Sequence, residues 1–302
     1  MTPDDAKKIL TGPIPTLRTP FTRDGEVDEE SLRRMIDFDI EAGAQVIVLT
    51  AGDSHYIALG DEEIASVTRT VIAHVAGRVP VVTADRYYHT RQAVRFAREC
   101  RELGSDLHMV LPPDWGKSTT PASLAAHYAA VAKEIPVMLV TNLFVPRGPA
   151  FGMAAVEAAL EASEGVVAIK DDMGGLFAQE MTARFSDRCA IWAGGLKQNH
   201  MLMAPFGAHG YLSTFLTFQP EVSDRYWQAW QAGRITEAAE VIETIDIPFF
   251  NLVMSSPGGF DAAMHGVMEL KGLSGRWRPQ PYHTLTDGEM EALAEGLKKI
   301  GV

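Results

Sequence analysis

The chain has 302 residues, of which 46% are hydrophobic and 22% are charged, and these values exclude a disordered protein. The net charge is −12, from 39 acidic and 27 basic residues, so we expect no nucleic-acid partner. Two cysteines, Cys100 and Cys189, are too few for a disulfide framework or a thiolate metal site. The start lacks a signal-peptide core, and no apolar run reaches the roughly 18 residues of a membrane span. We therefore expect a cytoplasmic protein with no membrane partner.

Short apolar runs recur along the chain, and most of them are four to six residues long. Near-continuous apolarity over this length is typical of parallel strands buried on both faces. The eight predicted strands are Pro13–Arg18, Val46–Thr50, Val79–Ala84, Leu107–Leu111, Pro136–Val140, Val166–Ile169, Ala190–Ala193 and Gly210–Thr214.

Segments with helical periodicity lie between these runs. The predicted helices within the strand series are Glu29–Ala42, Asp61–Val75, Thr90–Leu103, Pro121–Lys133, Met153–Ala162, Phe177–Phe185 and Gln198–Phe206. After the eighth strand, only helices are predicted: Glu221–Ala232, Arg234–Met254, Phe260–Lys271 and Asp287–Lys299.

Eight strands that alternate with helices predict an α/β protein, a (β/α)8 TIM barrel with a C-terminal helical appendage. We expect the barrel in residues 1–232 and the packed helices in residues 233–302, as one structural unit. An open doubly wound sheet is the alternative, but no G-x-G-x-x-G follows the first strand.

The active site of such a barrel lies at the carboxyl ends of its strands, so the residues that follow each run matter most. Lys170 directly follows the strand Val166–Ile169, and no other lysine closes a strand. Burial disfavours the ammonium form and exposes a nucleophilic amine, which can condense with a carbonyl to give a Schiff base. The alternative is a structural lysine paired with Asp171 or Asp172.

Ordered motifs along nearly the whole chain carry a family resemblance. They are Thr19–Phe21 with Gly25–Asp28, Leu59–Glu63, Gly77–Val81, Pro113 with Lys117, Val167–Asp171, and Gly207–Gly210 through Ser213 to Pro220. In this order and spacing the chain resembles the dihydrodipicolinate synthase/N-acetylneuraminate lyase family of Schiff-base barrels. The resemblance implies that Lys170 forms the imine, that no cofactor is needed, and that the protein is a homotetramer or homodimer.

The departures from the family pattern concern the substrate site. The family turn that holds the substrate carboxylate aligns with residues 51–55, so Gly52, Asp53 and Ser54 are predicted to bind the substrate, although an ionised Asp53 would repel a carboxylate. Arg147 is aligned with the family's carboxylate-binding arginine through a longer loop. Asn142, Gly194 and Ser213, near the ends of other strands, complete the predicted binding set.

The family's catalytic tyrosine aligns with Val140, which cannot relay a proton. The absence of this tyrosine argues against dihydrodipicolinate synthase activity. In this respect the chain resembles the family branches that dehydrate 2-oxo-3-deoxy sugar acids. Dehydration requires a base at C3 and an acid at the C4 hydroxyl. The candidates are Thr141, His55 and Tyr88. Asp53, Asp171 or a water held by Thr141 or Ser54 are further options, and packing at the rim of the barrel is the alternative role for Tyr88.

The sequence leaves three alternatives to a dehydratase of a 2-oxo acid. A retro-aldolase would use the same imine and release pyruvate. A metal-dependent barrel is disfavoured because the nine histidines form no metal-ligand motif, so no metal is expected. A sugar-acid binder that has lost catalysis would explain Asp53 and Val140.

Overall fold

The computed structural model describes residues 1–86 and 88–302. Within these residues the strands are β1 Gly12–Ile14, β2 Ile47–Val48, β3 Val81–Ala84, β4 Leu107–Val110, β5 Val137–Val140, β6 Val166–Asp171, β7 Ala190–Ala193 and β8 Gly210–Leu212. The helices that accompany them are α1 Pro3–Ile9, α2 Glu29–Glu41, α3 Asp61–Val75, α4 Thr90–Leu103, α5 Pro121–Val131, α6 Pro149–Ala162, α7 Gly175–Phe185, α8 Leu196–Met203 and α9 Pro220–Gln231. Four helices follow, α10 Ile235–Val241, α11 Ile247–Ser255, α12 Gly259–Leu270 and α13 Asp287–Lys299.

The eight described strands form one parallel sheet in the order β1-β8-β7-β6-β5-β4-β3-β2. A parallel bridge between Thr16 and Val48 joins the two ends of this order and closes the sheet into a barrel. The strand residues are buried nearly throughout because side chains fill the interior and helices cover the outside. The predicted TIM barrel with extra C-terminal helices is therefore confirmed.

Proline positions explain where elements differ from the prediction. The first strand ends at Ile14 because Pro15 has no N–H to donate, and pairing resumes only at Thr16. α6 begins at Pro149, four residues before the predicted start, since a proline suits the first helical turn. The predicted helix Arg234–Met254 is divided by a π-helical segment, Ile242–Asp246, just before Pro248.

The first helix, α1, was not predicted. Thr2 caps it through a reciprocal hydrogen-bond pair with Asp5, and Ala6 and Leu10 are fully buried. It packs near β6 and β7. This short helix carries only a weak apolar pattern, so its stability comes from packing against the barrel.

The C-terminal helices pack against the barrel next to the carboxyl ends of its strands. Asp261 and His265 of α12 contact the loops after β1 and β2. Within the described residues, no helix is long and apolar enough to span a bilayer.

Candidate functional site

A cavity of about 200 Å³ opens at the carboxyl ends of the strands. Its floor and walls come from the carboxyl-terminal parts of β4, β5 and β6, from the residues that follow these strands, and from the turn after β2. The lining residues are Thr50, Ala51, Gly52, Asp53, Ile57, Met109, Leu111, Val140, Asn142, Lys170 and Asp172. The cavity therefore has apolar walls and few ionisable groups, and Lys170 is the one lysine or arginine among its lining residues in the described part of the chain.

Lys170 lies near the end of β6, opposite Val140 of β5 and Trp192 of β7 in the sheet register. Its side chain is only 9% exposed, and its Nζ atom lies 5.4 Å from the centre of the Trp192 ring. Both carboxylate oxygens of Asp172 contact this nitrogen, at 2.6 and 2.8 Å. The amine therefore faces the cavity, as the Schiff-base interpretation requires, and it is paired with Asp172, one of the two partners that the structural alternative named.

Asp171 and Asp172 are neighbours in sequence but face different surroundings. The Asp171 carboxylate accepts hydrogen bonds from the Thr141 hydroxyl and from the N–H groups of Met173 and Gly174. Burial raises the pKa of Asp171, although these hydrogen bonds oppose the shift. Asp171 is fully buried and is not part of the cavity lining, so its contacts fix the loop after β6.

Thr141 is also engaged in this loop. Besides donating to Asp171, its hydroxyl oxygen accepts the N–H of Asp172 at 2.9 Å. The residue is fully buried and does not belong to the cavity lining. Thr141 thus holds the backbone that presents Asp172 to Lys170, whereas the sequence predicted direct contact with substrate.

Gly194 follows β7 and leaves space for the lysine–carboxylate pair. A Cβ atom at this position would overlap Asp172 Oδ1 and would lie 3.0 Å from Lys170 Nζ. The Gly194 N–H donates to the Asp171 carbonyl at 2.8 Å, which fixes this close approach. Gly194, predicted to bind substrate, thus allows a close backbone approach to the pair Lys170–Asp172.

The turn at residues 50–54 is built by its own polar side chains. The Ser54 hydroxyl donates to the Leu17 carbonyl at 2.6 Å and accepts the Thr50 N–H at 3.0 Å. The Asp53 N–H donates to the Thr50 hydroxyl. Ser54 is fully buried behind the turn, while Gly52 and the Asp53 side chain face the cavity. Ser54 therefore shapes the turn, and Gly52 borders the space that a ligand would occupy.

Asp53 is neutralised by a cation that the sequence did not connect to it. Arg18 donates to Asp53 at 3.2 Å and to Asp261 of α12 at 2.8 Å, and the Thr16 hydroxyl also donates to Asp53. The Arg18 side chain is 5% exposed. The predicted repulsion between Asp53 and a substrate carboxylate is thus reduced by an almost buried guanidinium.

His55 lies behind the turn and outside the cavity lining. Its Nε2 atom is 2.9 Å from Nε2 of His265 in α12, and both rings pack near Phe21. Burial, with the nearby positive charge of Arg18, lowers the pKa of His55 to about 4. The structure therefore places His55 at the junction between barrel and appendage.

Tyr88 lies at the rim, away from the cavity lining. Its hydroxyl donates to Asp61 at 2.9 Å, and its ring packs edge-on against Phe96. Burial and the neighbouring Asp61 raise the pKa of Tyr88 to about 12. These contacts correspond to the packing role that was the alternative to a catalytic one.

Arg147 and Asn142 follow β5 but serve different surfaces. Arg147 donates to Asp114 at 2.6 Å and to the Thr119 carbonyl, and its guanidinium stacks on Phe151. It therefore joins the loops after β4 and β5 and does not line the cavity. Asn142 does line the cavity, and its side-chain oxygen accepts the N–H of Leu143.

Ser213, after β8, is buried outside the cavity lining and shares a 2.6 Å hydrogen bond with Ser223 of α9. The described residues contain no cluster of three or more histidine, cysteine or carboxylate side chains suited to a metal ion.

The sequence pointed to Asp172 only as a partner of Lys170 and not as a group of the site in its own right. A usable signal was present, since side chains two apart share a face of a strand and Lys170 ends such a run. Arg18 was also missed as the partner of Asp53, because that contact joins residues from different strand ends.

Known proteins resemble the chain over most of its length. The model of a family described as the dihydrodipicolinate synthetase family matches residues 9–300. A 4-hydroxy-tetrahydrodipicolinate synthase of Pelobacter propionicus is 28% identical over 296 residues, covering 97% of this chain and 100% of the relative. One of Trichlorobacter lovleyi is 29% identical over 251 residues, covering 82% of this chain and 86% of the relative.

Solved structures share the fold. A prophage protein of the dihydrodipicolinic acid synthase family from E. coli K12, solved in complex with pyruvate, has a TM-score of 0.82 at 24% identity and covers 96% of this chain and 98% of its own. N-acetylneuraminate lyase from Mycoplasma synoviae has a TM-score of 0.80 at 18% identity, covering 97% and 98%.

Proposed function

The chain belongs to the dihydrodipicolinate synthetase family, whose members are lyases that act through a Schiff base, and on this premise we propose that Lys170 forms an imine with a 2-oxo acid. We propose further that the reaction is the dehydration of a 2-oxo-3-deoxy sugar acid. The observation that carries the proposal is that the almost buried Lys170 amine lies at the base of the cavity. On the neighbouring strand β5, Val140 lines the same cavity.

An imine at Lys170 would make the dehydration possible. The amine adds to the C2 carbonyl and water leaves, so the protonated imine can accept the electron pair of the C3–H bond. The resulting enamine expels the C4 hydroxyl as water, and hydrolysis of the new imine frees the product. One water is lost overall.

The turn after β2 is proposed to hold the C1 carboxylate. Within the described residues, the N–H groups of Ala51 and Gly52 have no hydrogen-bond acceptor, and both residues line the cavity. Successive backbone N–H groups in a turn form a concave anion site. Arg18, which neutralises Asp53, favours a carboxylate at this position.

The two sequence relatives are named as 4-hydroxy-tetrahydrodipicolinate synthases, but we do not propose this activity for the present protein. The family tyrosine aligns with Val140, and the structure places this valine in the cavity wall. Retro-aldol cleavage is the second candidate because it shares the imine. Pyruvate among the products would indicate cleavage, and a product lighter than the substrate by one water would indicate dehydration.

Borohydride trapping tests the imine. Incubation with pyruvate or a 2-oxo sugar acid, followed by reduction, should add the mass of the reduced ligand to the Lys170 peptide. Lys197 is an internal control, because it is also buried and paired with a carboxylate, Asp246, but lies outside the cavity lining. A Lys170→Arg variant should give no adduct. No adduct on the native protein, or one on Lys197 alone, would refute the proposal.

We also propose that the protein acts in the cytoplasm and that it is a homotetramer or homodimer, the assembly that the family resemblance implies. Light scattering coupled to size-exclusion chromatography measures the assembly directly.

A further inference from the structure

We propose that Asp172 is the general acid–base catalyst of this site and that it takes the place of the tyrosine that Val140 cannot supply. This inference rests on the proposed imine at Lys170. Both oxygens of Asp172 lie within 2.8 Å of Lys170 Nζ, and the carboxylate lines the same cavity.

The absence of another suitable group among the described cavity residues supports the assignment to Asp172. Among the described residues that line the cavity, the ionisable side chains are Asp53, Lys170 and Asp172. Asp53 is held by Arg18 and Thr16 on the other side of the cavity. The candidates predicted from sequence, His55, Tyr88 and Thr141, lie outside the lining and are bonded to other groups. Asp172 is therefore the cavity carboxylate next to the reacting amine.

The geometry lets one carboxylate serve both imine formation and elimination. Asp172 takes a proton from the Lys170 ammonium, so that the free amine adds to C2. The adding nitrogen passes one of its protons to the former carbonyl oxygen, and Asp172 returns the proton that it took. This oxygen, with two protons, leaves as water, and the protonated imine forms beside the regenerated carboxylate. Because C3 is one bond from C2, the carboxylate that touches the imine nitrogen is within reach of a C3 proton.

The loss of water from C3 and C4 can be completed with Asp172 as the one group that transfers both protons. Asp172 removes a C3 proton, and the C–H electron pair forms the C2–C3 double bond while the imine π electrons move to nitrogen. The protonated Asp172 then donates to the C4 oxygen, the C4–O bond breaks, and water leaves. The nitrogen electron pair restores the imine, now conjugated to a C3–C4 double bond. Since one group handles both protons, the C3 proton and the C4 hydroxyl leave from the same face.

The loop is built to hold Asp172 in this position. The Thr141 hydroxyl accepts its N–H, Asp171 anchors the adjacent backbone through Gly174, and Gly194 leaves room for its oxygen. Three neighbours thus constrain Asp172, although its side chain is 23% exposed. A simple surface ion pair would not need such constraint.

Pyruvate is a suitable probe because its methyl group becomes the C3 position of the imine. Exchange of these protons in D2O, followed by NMR, measures C3 deprotonation, and borohydride trapping on Lys170 measures the imine. After long incubation we expect Asp172→Asn to give the adduct, because trapping at equilibrium records the amount of imine and not the rate at which it forms. Its C3 protons should exchange at least about 100-fold more slowly than in the native protein, as expected for loss of a general base. Asp172→Glu should recover part of the exchange, and Asp187→Asn, an exposed carboxylate, serves as the surface control.

The two readouts separate the hypotheses. If the native protein gives no adduct, the proposed function fails and this assignment fails with it. If Asp172→Asn gives the adduct and exchanges at the native rate, Asp172 is not the base while the imine proposal stands. If Asp172→Asn gives no adduct, Asp172→Glu decides: an adduct with exchange supports the assignment, and any other result overturns it.

Discussion

The imidazole rings of His55 and His265 meet with their Nε2 atoms 2.9 Å apart, at the junction between the turn after β2 and helix α12. One proton can occupy the space between these two nitrogens, so the contact requires that at least one ring is neutral. Arg18 spans the same junction, between Asp53 and Asp261. The C-terminal helices therefore hold the turn that borders the cavity.

Acidification should weaken this junction. Burial lowers the pKa of His55 to about 4, whereas an unfolded histidine titrates near 6.5. The unfolded chain therefore binds more protons between these values, so the contribution is complete above pH 6.5 and is lost as the pH falls towards 4. We expect His55→Gln to show a smaller loss of unfolding free energy between pH 7.5 and 5.5 than the native protein, in urea titrations. Equal losses would contradict a titrating pair.

Removal of Arg18 should expose the charge of Asp53. Arg18→Met leaves this carboxylate without its buried cation, and we expect about 2 kcal/mol of destabilisation, less than the ~3–5 kcal/mol for a fully buried pair because Asp53 is partly exposed. The pyruvate concentration for half-maximal C3 exchange should rise about 10-fold. The double variant Arg18→Met/Asp53→Asn should recover much of the affinity. If the double variant binds no better than Arg18→Met, charge neutralisation is not the role of Arg18.

Gly194→Ala should displace the catalytic pair. The added Cβ would overlap Asp172 Oδ1, and a displacement of about 1 Å is enough to lower a rate roughly 100-fold. We expect pyruvate exchange to fall by about this factor while circular dichroism stays native. Gly52→Ala is the matched comparison for added volume in the cavity, since the structure places nothing within 4 Å of a Cβ there. Equal activity of Gly194→Ala and native protein would show that the loop relaxes.

Thr141→Val should act through Asp172. The valine keeps the shape but removes the bonds to the Asp172 N–H and to Asp171, so we expect a destabilisation of about 1–3 kcal/mol and a roughly 10-fold lower maximal exchange rate. Half-saturation by pyruvate should change little, because Thr141 lies outside the cavity lining. Thr141→Ser retains the hydroxyl and should behave almost as the native protein. A Ser variant as impaired as the Val variant would argue against the hydrogen bonds.

The sequence by itself determined the barrel and the position of the amine. Apolar runs that alternate with helices leave few topologies other than parallel strands closed into a barrel, and chain order places the residue after each run at one end. Lys170 therefore could be placed at the mouth of the barrel without coordinates.

The tertiary structure alone decided which polar groups meet in the cavity. His55 is bound to a residue 210 positions away and Arg18 to one 243 positions away, so neither partner leaves a local pattern in the sequence. The sequence left open which of the two acidic neighbours pairs with Lys170. Loop conformation, which depends on the packing of separate strand ends, turned Asp171 into the protein and Asp172 towards Lys170. Residue types and periodicity fix an element and its faces, but partners across the fold depend on how those faces are brought together.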